Sequence, residues 1–298
     1  MADQYTLRDP RSQYPTADPS FRQSQQPPGL DQKMEPKPDG GESTYRGTGR
    51  LAGRKAVVTG ADSGIGRAVA IAFGREGADV VLSYLPQEEP DAREVVELVR
   101  QAGRRAVAVP GDIRDEAYCD RLVNTAVNEF GGIDILANVA GSQHAVPDIT
   151  DLTTAQFDDT FKTDVYGMFW LCRAAVGQMR PGSAIINTTS VNAYQPSPIL
   201  LDYASTKAAI NNFTKALAQQ VTPKGIRVNA VAPGPVWSPL QVAGGQPTEA
   251  LANFGARTPL GRPGQPAEMA PVYVFLASQE ASFVSGETLC ATGGLPTP

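Results

Sequence analysis

The sequence has no excess of positive charge. Lysine and arginine number 26 against 31 aspartates and glutamates, a net charge of −5. That balance excludes the basic footprint of a nucleic-acid-binding surface and the basic amphipathic face of a membrane-surface protein. Cysteine is scarce: Cys119, Cys172 and Cys290 are far apart, odd in number and without metal-ligand spacing. Reduced thiols in a cytoplasmic protein are the simplest reading. No apolar run approaches membrane-spanning length, and the basic-then-apolar start of a signal peptide is missing. Internal repeats are missing too. What remains is the composition of an ordinary globular protein, 41% hydrophobic and 19% charged over 298 residues.

Texture divides the chain near residue 48. Residues 1–48 are rich in Pro, Gln, Ser, Asp and Gly and carry few large apolar groups. Alone, such a segment cannot bury enough surface to offset its ordering entropy, so it is expected to be extended or disordered. Order would come from lying against a folded surface, a neighbouring subunit being one candidate. From residue 49 to 298, short apolar runs such as "KAVVTG", "DVVLSY" and "IDILANVAG" alternate with helix-periodic stretches such as "IGRAVAIAFGREGA". Strict alternation implies an α/β fold: one doubly wound, Rossmann-type domain, with about seven parallel strands flanked by helices. The runs are apolar throughout, as expected of strands buried on both faces.

Two stretches point to chemistry. "TGADSGIG" follows the first predicted strand and opens a helix. Gly60, Gly64 and Gly66 let the backbone turn tightly and approach a pyrophosphate at the helix N-terminus. The alternative is an ordinary glycine-rich turn. In "YASTK", Tyr203 and Lys207 lie four apart and share a helix face. An ammonium beside a phenol favours the phenolate, and such a tyrosine can exchange a proton with an alcohol or ketone. That pairing also arises by chance on many helices. Ser190 strengthens it, because it ends the preceding strand, on the same sheet edge as the glycine turn.

Taken together, Thr59-Gly60-x-x-x-Gly64-Ile65-Gly66, Asn138-Val139-Ala140-Gly141, Ser190, Tyr203-x-x-x-Lys207 and Pro233-Gly234 resemble the short-chain dehydrogenases/reductases over residues 50 to 295. The Pro-rich extension, "DYASTKAAI" and "APGPVWSPLQ" are most similar to the glucose/ribitol dehydrogenase-like subgroup of general stress proteins. The resemblance implies that Tyr203 is the general acid/base, that Lys207 tunes it and holds the nicotinamide ribose, and that Ser190 polarises the substrate oxygen. It implies further cofactor contacts from Ser63, Ile65, Asp112, Ile113, Asn138, Ala140 and Gly141, and from Pro233, Gly234, Val236 and Ser238 near the nicotinamide. The substrate would be a secondary alcohol, sugar or polyol, or the matching carbonyl compound. A homotetramer is the family expectation.

NAD-specific relatives usually place an acid at the end of the second strand. Tyr84 stands there, so nothing is expected to repel a 2′-phosphate, although the nearest cation is Arg67. NADP(H) is therefore favoured, with NAD(H) as the second cofactor. His144, the one histidine, follows "NVAG" and is a candidate for the pocket rim or for a solvent-facing loop. Residues 237–265 read as a lid with glycine and proline hinges, or as a plain surface excursion; in a lid, Trp237 would touch substrate. Cys290 reads as core filler in the last strand.

Asp164 is the anomaly. Phe157, Phe161, Val165, Met168, Phe169 and Cys172 fall at helical spacing, and Asp164 lies on that apolar stripe. Relatives carry an asparagine here, in a helix that bends locally, as the fourth catalytic position. A carboxylate in its place would oppose Lys207 and raise the Tyr203 pKa. The competing reading is a nicotinamide-binding sensor or scaffold with impaired catalysis. An epimerase or dehydratase fits poorly, because its glycine spacing differs.

Overall fold

The apolar runs become strands in the computed structural model, which describes residues 3–297. In chain order, β1 (Lys55–Thr59) leads into α1 (Gly64–Arg75), β2 (Asp79–Tyr84) into α2 (Glu89–Gln101), and β3 (Ala106–Pro110) into α3 (Glu116–Phe130). β4 (Ile133–Asn138) precedes α4 (Thr154–Phe161) and α5 (Gly167–Val176), which are joined by a π-helical turn, Lys162–Tyr166. Then follow β5 (Met179–Thr188), α6 (Leu201–Val221), β6 (Arg227–Pro233), α7 (Pro266–Ala277) and β7 (Thr288–Ala291).

Among the described residues the strands form one seven-stranded parallel sheet, ordered β3-β2-β1-β4-β5-β6-β7. This is the doubly wound architecture that the alternation implied. Val57 lies beside Val81 on one flank and Leu136 on the other. Successive residues feed opposite cores: Val58, Val80 and Leu82 pack towards α1 and α7, while Val57, Val81 and Leu136 pack towards α3 and α5. Each such side chain contributes about 1.5–3 kcal/mol by leaving water, which is why both faces select apolar residues. The strand order reverses between β1 and β4. Crevices for ligands open outside the carboxyl ends of the strands at such a reversal.

Cys290 departs from expectation. It is exposed, because β7 is the edge strand and lacks a neighbour on one side. Cys119 and Cys172 are buried and free, and burial pushes each thiol up to about 12.

In residues 3–48 the only helical pieces are two single 3₁₀ turns, Pro19–Phe21 and Asp31–Lys33. The rest runs extended against the chain's own domain. Phe21, Met34 and Tyr45 are buried there. Phe21 packs on Trp237 with ring centroids 4.5 Å apart, and the indole Nε1 donates to the Pro36 carbonyl at 2.8 Å. Asp31 accepts from the Gly64 N–H at 3.2 Å, and Gln25 donates its N–H to the Val242 carbonyl at 3.0 Å. The segment therefore straps the start of α1 to the region after β6.

Candidate active site

A cleft of about 690 Å³ runs along the carboxyl ends of the strands. The glycine turn after β1 forms one wall, with Gly60, Ser63, Gly64, Ile65 and Gly66 lining it. Its shape depends on missing side chains. A Cβ at Gly66 would lie 1.9 Å from the Gly60 carbonyl oxygen, and Gly60 itself has φ +60° against the Ala140 backbone. Thr59 Oγ1 accepts from the N–H groups of Val139 and Ala140 at 2.9 and 3.0 Å. This fastens the end of β1 to the end of β4.

Further along, the cleft is lined by Tyr84 after β2, by Asp112 and Ile113 after β3, and by Ala140 and Gly141 after β4. Asp112 pairs with Arg114 at 2.7 Å, and that guanidinium holds its carboxyl below the usual range against the opposing effect of partial burial. The far end is bordered by Pro233, Gly234, Val236 and Ser238. Asn138 differs. It lies beneath the lining, and its amide donates to Asn187 Oδ1 at 2.9 Å, which in turn leaves Asn187 Nδ2 to donate to Thr214. Asn138 thus joins a buried polar chain between β4, β5 and α6, in which its Nδ2 is paired while its Oδ1 is left without a partner among the described residues.

Ser190, Tyr203 and Lys207 line the opposite wall. Ser190 caps a short turn and accepts from the Asn192 N–H at 3.1 Å. One helical turn separates Tyr203 from Lys207, whose Nζ lies 5.0 Å from the phenol ring centroid. Nζ donates to the Thr188 carbonyl at 3.3 Å. It also lies 3.1 Å from Asp164 Oδ2.

Asp164 sits in the π-helical turn and is buried. The inserted residue of such a turn rotates the helix face. Consequently the stripe read from the sequence is split: Met168 and Cys172 are buried, whereas Phe157 and Phe169 are exposed. Asp164 Oδ1 accepts from the Ser142 N–H at 2.7 Å, and Oδ2 accepts from Thr206 Oγ1 at 3.0 Å. Burial pushes its carboxyl upwards, against the pull of Lys207 and these donors. Burial disfavours the ammonium of Lys207, yet the Asp164 carboxylate and the Tyr203 phenol together outweigh it and hold the lysine above its ordinary range. The Ser142 N–H and the Lys207 ammonium are obligate donors aimed at one carboxyl and match its ionised form, so the pair is read as carboxylate and ammonium; the single Thr206 proton is shared between Asp164 and the Tyr203 carbonyl at 2.7 Å. The net effect on Tyr203 is upward: burial dominates, Lys207 and Ser190 act downwards, and Asp164 acts upwards. The lowering expected from lysine alone is overridden.

The sequence left His144 open between the pocket rim and a solvent-facing loop, and it misplaced other residues. His144 lines the cleft and faces Gly244, where an added Cβ would lie 3.1 Å from its ring. Trp237 does not reach the cleft; it is fully buried between Phe21 and Phe254 because the strap covers it. Nor is Arg67 free to meet a phosphate. It is buried and pairs with Glu42 at 2.7 Å and Glu94 at 2.9 Å. The space beside Tyr84 holds acids after all, since Asp62 and Glu88 line it. Asp62 stands in the quoted glycine turn, but only the folded chain reveals its burial. Gln143, Thr163, Thr188 and the strap's Pro27 and Pro28 line the cleft without any sequence signal.

Among the described residues, no helix is long and apolar enough to cross a membrane. A family model described as enoyl-(acyl carrier protein) reductase matches residues 60–296. The chain is 56% identical to an uncharacterized oxidoreductase, YhxD, of Bacillus subtilis, over 92% of this chain and 93% of that one. It is 43% identical to NADPH-dependent aldehyde reductase 1, chloroplastic, of Arabidopsis thaliana, over 90% and 94%. A crystal structure of a short chain dehydrogenase from Burkholderia cenocepacia, in complex with NADP, superposes with a TM-score of 0.77. It is 32% identical and covers 82% of this chain and 98% of its own.

Proposed function

Because this chain belongs to the short-chain dehydrogenase/reductase family, a family of oxidoreductases, we propose that it interconverts an alcohol and a carbonyl compound with NADP(H), and with NAD(H) as second cofactor. The carrying observation is that Ser190, Tyr203 and Lys207 share one cleft with the glycine turn. The NADP complex of the Burkholderia relative and the NADPH dependence of the Arabidopsis relative support the cofactor reading.

The cleft fits a dinucleotide on its own features. Gly66 and Gly60 let the turn close tightly on itself and on β4, since a Cβ at either would meet the Gly60 carbonyl or the Ala140 backbone, and the N-terminus of α1 favours negative charge. Ser63, Ile65 and Gly66 would hold the pyrophosphate, Asp112 and Ile113 the adenine side, and Ala140, Gly141, Lys207, Pro233, Gly234, Val236 and Ser238 the nicotinamide side. When bound, the nicotinamide supplies the hydride chemistry. The protein's own work is positioning and proton transfer. Tyr203 holds or gives a proton at its phenolic oxygen, Ser190 directs its hydroxyl at the substrate oxygen, and Lys207 lends positive charge to the phenolate. Asp164 positions Lys207. Residues 237–265 act as the lid: Leu240, Gln241 and Ala243 line the cleft, and the Gly245 carbonyl accepts from Gln143 Nε2 at 2.7 Å. His144 then borders the substrate. The setting is cytoplasmic.

The test is turnover. Purified protein with NADPH or NADH and a panel of aldehydes, ketones and polyols should change the nicotinamide absorbance. Tyr203→Phe should cut kcat by about a hundredfold or more while cofactor affinity persists. Binding without turnover on any substrate, across pH, would instead favour the sensor.

A further inference from the structure

Two carboxyls in the cleft have no part in that chemistry. Asp62, from the glycine turn, is fully buried, and its oxygens are left without an ordinary donor to satisfy them as an ionised carboxylate. Glu88, in the short turn before α2, is also buried; it accepts from the Leu85 N–H at 2.7 Å. Both line the cleft beside Tyr84, at the carboxyl end of β2. In a doubly wound sheet that edge receives the ribose whose 2′ position distinguishes the two nicotinamide cofactors.

The surroundings do not neutralise them. Asp91 of α2 and Asp31 of the strap add negative charge to the same neighbourhood. Arg67 of α1 faces this group, 3.9 Å from Asp31, but it is shared with Glu42 and Glu94. Across the cleft Arg114 is taken by Asp112 and by Asp159 at 3.2 Å. The Tyr84 hydroxyl donates to Glu89, which also holds Arg93 at 2.8 Å. Two buried carboxyls lining one end of the cleft cannot both ionise cheaply, so the pair keeps a proton. Burial is the first cause that raises each, Asp62 to about 7 and Glu88 to about 9.

Resting on the dinucleotide reading above, we propose that Asp62 and Glu88 form a proton-sharing pair that sets the choice between NADP(H) and NAD(H). With its proton, the pair can donate towards a 2′-phosphate oxygen. Without it, the pair can only accept, which suits a ribose hydroxyl and repels a phosphate dianion.

The experiment uses the full chain and measures Kd for NADP⁺ and NAD⁺ by calorimetry from about pH 7 to about pH 9.5. The 2′-phosphate is already ionised there, since its second pKa is about 6. NADP⁺ should weaken relative to NAD⁺ by about tenfold or more across that range, a loss within reach of one nearby charge. Titration of Tyr203 or Lys207 acts on both nucleotides and cancels in the ratio. Glu88→Gln and Asp62→Asn should flatten the ratio; if neither variant folds, the wild-type profile still decides. A constant ratio in the wild type, with both nucleotides bound, overturns the proton-sharing role alone. Failure of both to bind at any pH overturns the cofactor reading and this inference with it.

Discussion

At the scale of single residues, the wall proposed to carry catalysis takes its electrostatics from Asp164. Its carboxylate anchors Lys207 and opposes the phenolate of Tyr203. Alcohol oxidation needs the phenolate, so its alkaline requirement should ease when that charge is removed. In Asp164→Asn, the oxidation optimum should move down by about one pH unit and kcat should rise. An unchanged or upward-moved pH–rate profile would refute this. Tyr203, Lys207 and Ser190 were legible in the sequence because a helix period and a strand end fix where they point. The direction of the Tyr203 shift was not, because burial outweighs the neighbouring ammonium and burial is a property of the fold. Asp62 and Glu88 escaped notice for the same reason: an aspartate in a glycine turn and a glutamate before a helix both look solvated in sequence.

At the scale of elements, strands and helices could be read from local pattern, and the lid from its glycines and prolines, while the place where the strap docks could not. Apolar runs and helical periods are written within each segment. Trp237, by contrast, is buried by residues such as Pro36, which precedes it by 201 positions. Nothing near "VWSPLQ" announces that partner, and the indole therefore looked available to substrate. The strap's worth can be measured. Trp237→Ala should destabilise the fold by about 3–5 kcal/mol, the usual loss for a fully buried large aromatic, as read by denaturant unfolding. Deleting residues 1–40 in a Trp170→Phe background should expose Trp237, so that its fluorescence moves to longer wavelength with the domain still folded. A spectrum unchanged from the full-length background would show that the strap is not what covers it.

At the scale of the whole molecule, two behaviours follow. Asp62 and Glu88 keep protons in the folded state that an unfolded chain would have released at neutral pH. Their contribution is therefore full below the ordinary carboxylate range and is lost as pH rises through about 7 and about 9. The thermal midpoint should fall by at least about 3 °C between about pH 6 and about pH 9, and Glu88→Gln should blunt that fall. The second behaviour is assembly. Phe157, Tyr166, Phe169 and Leu201 are exposed on α4, α5, the turn between them, and α6, and we propose that they meet partner subunits in a homotetramer. Light scattering should return four times the chain mass; a monomer at working concentration would refute it. The strap has a last consequence, for the order in which the protein is made. Phe21 leaves the ribosome early, yet Trp237 and Phe254 are among its partners, and the Asp39 carbonyl waits for the Ala267 N–H. Contacts of such long sequence separation close late. The strap, made before the domain it lies on, is thus among the last parts to find its place, and it cannot do so until the chain through Ala267 has emerged.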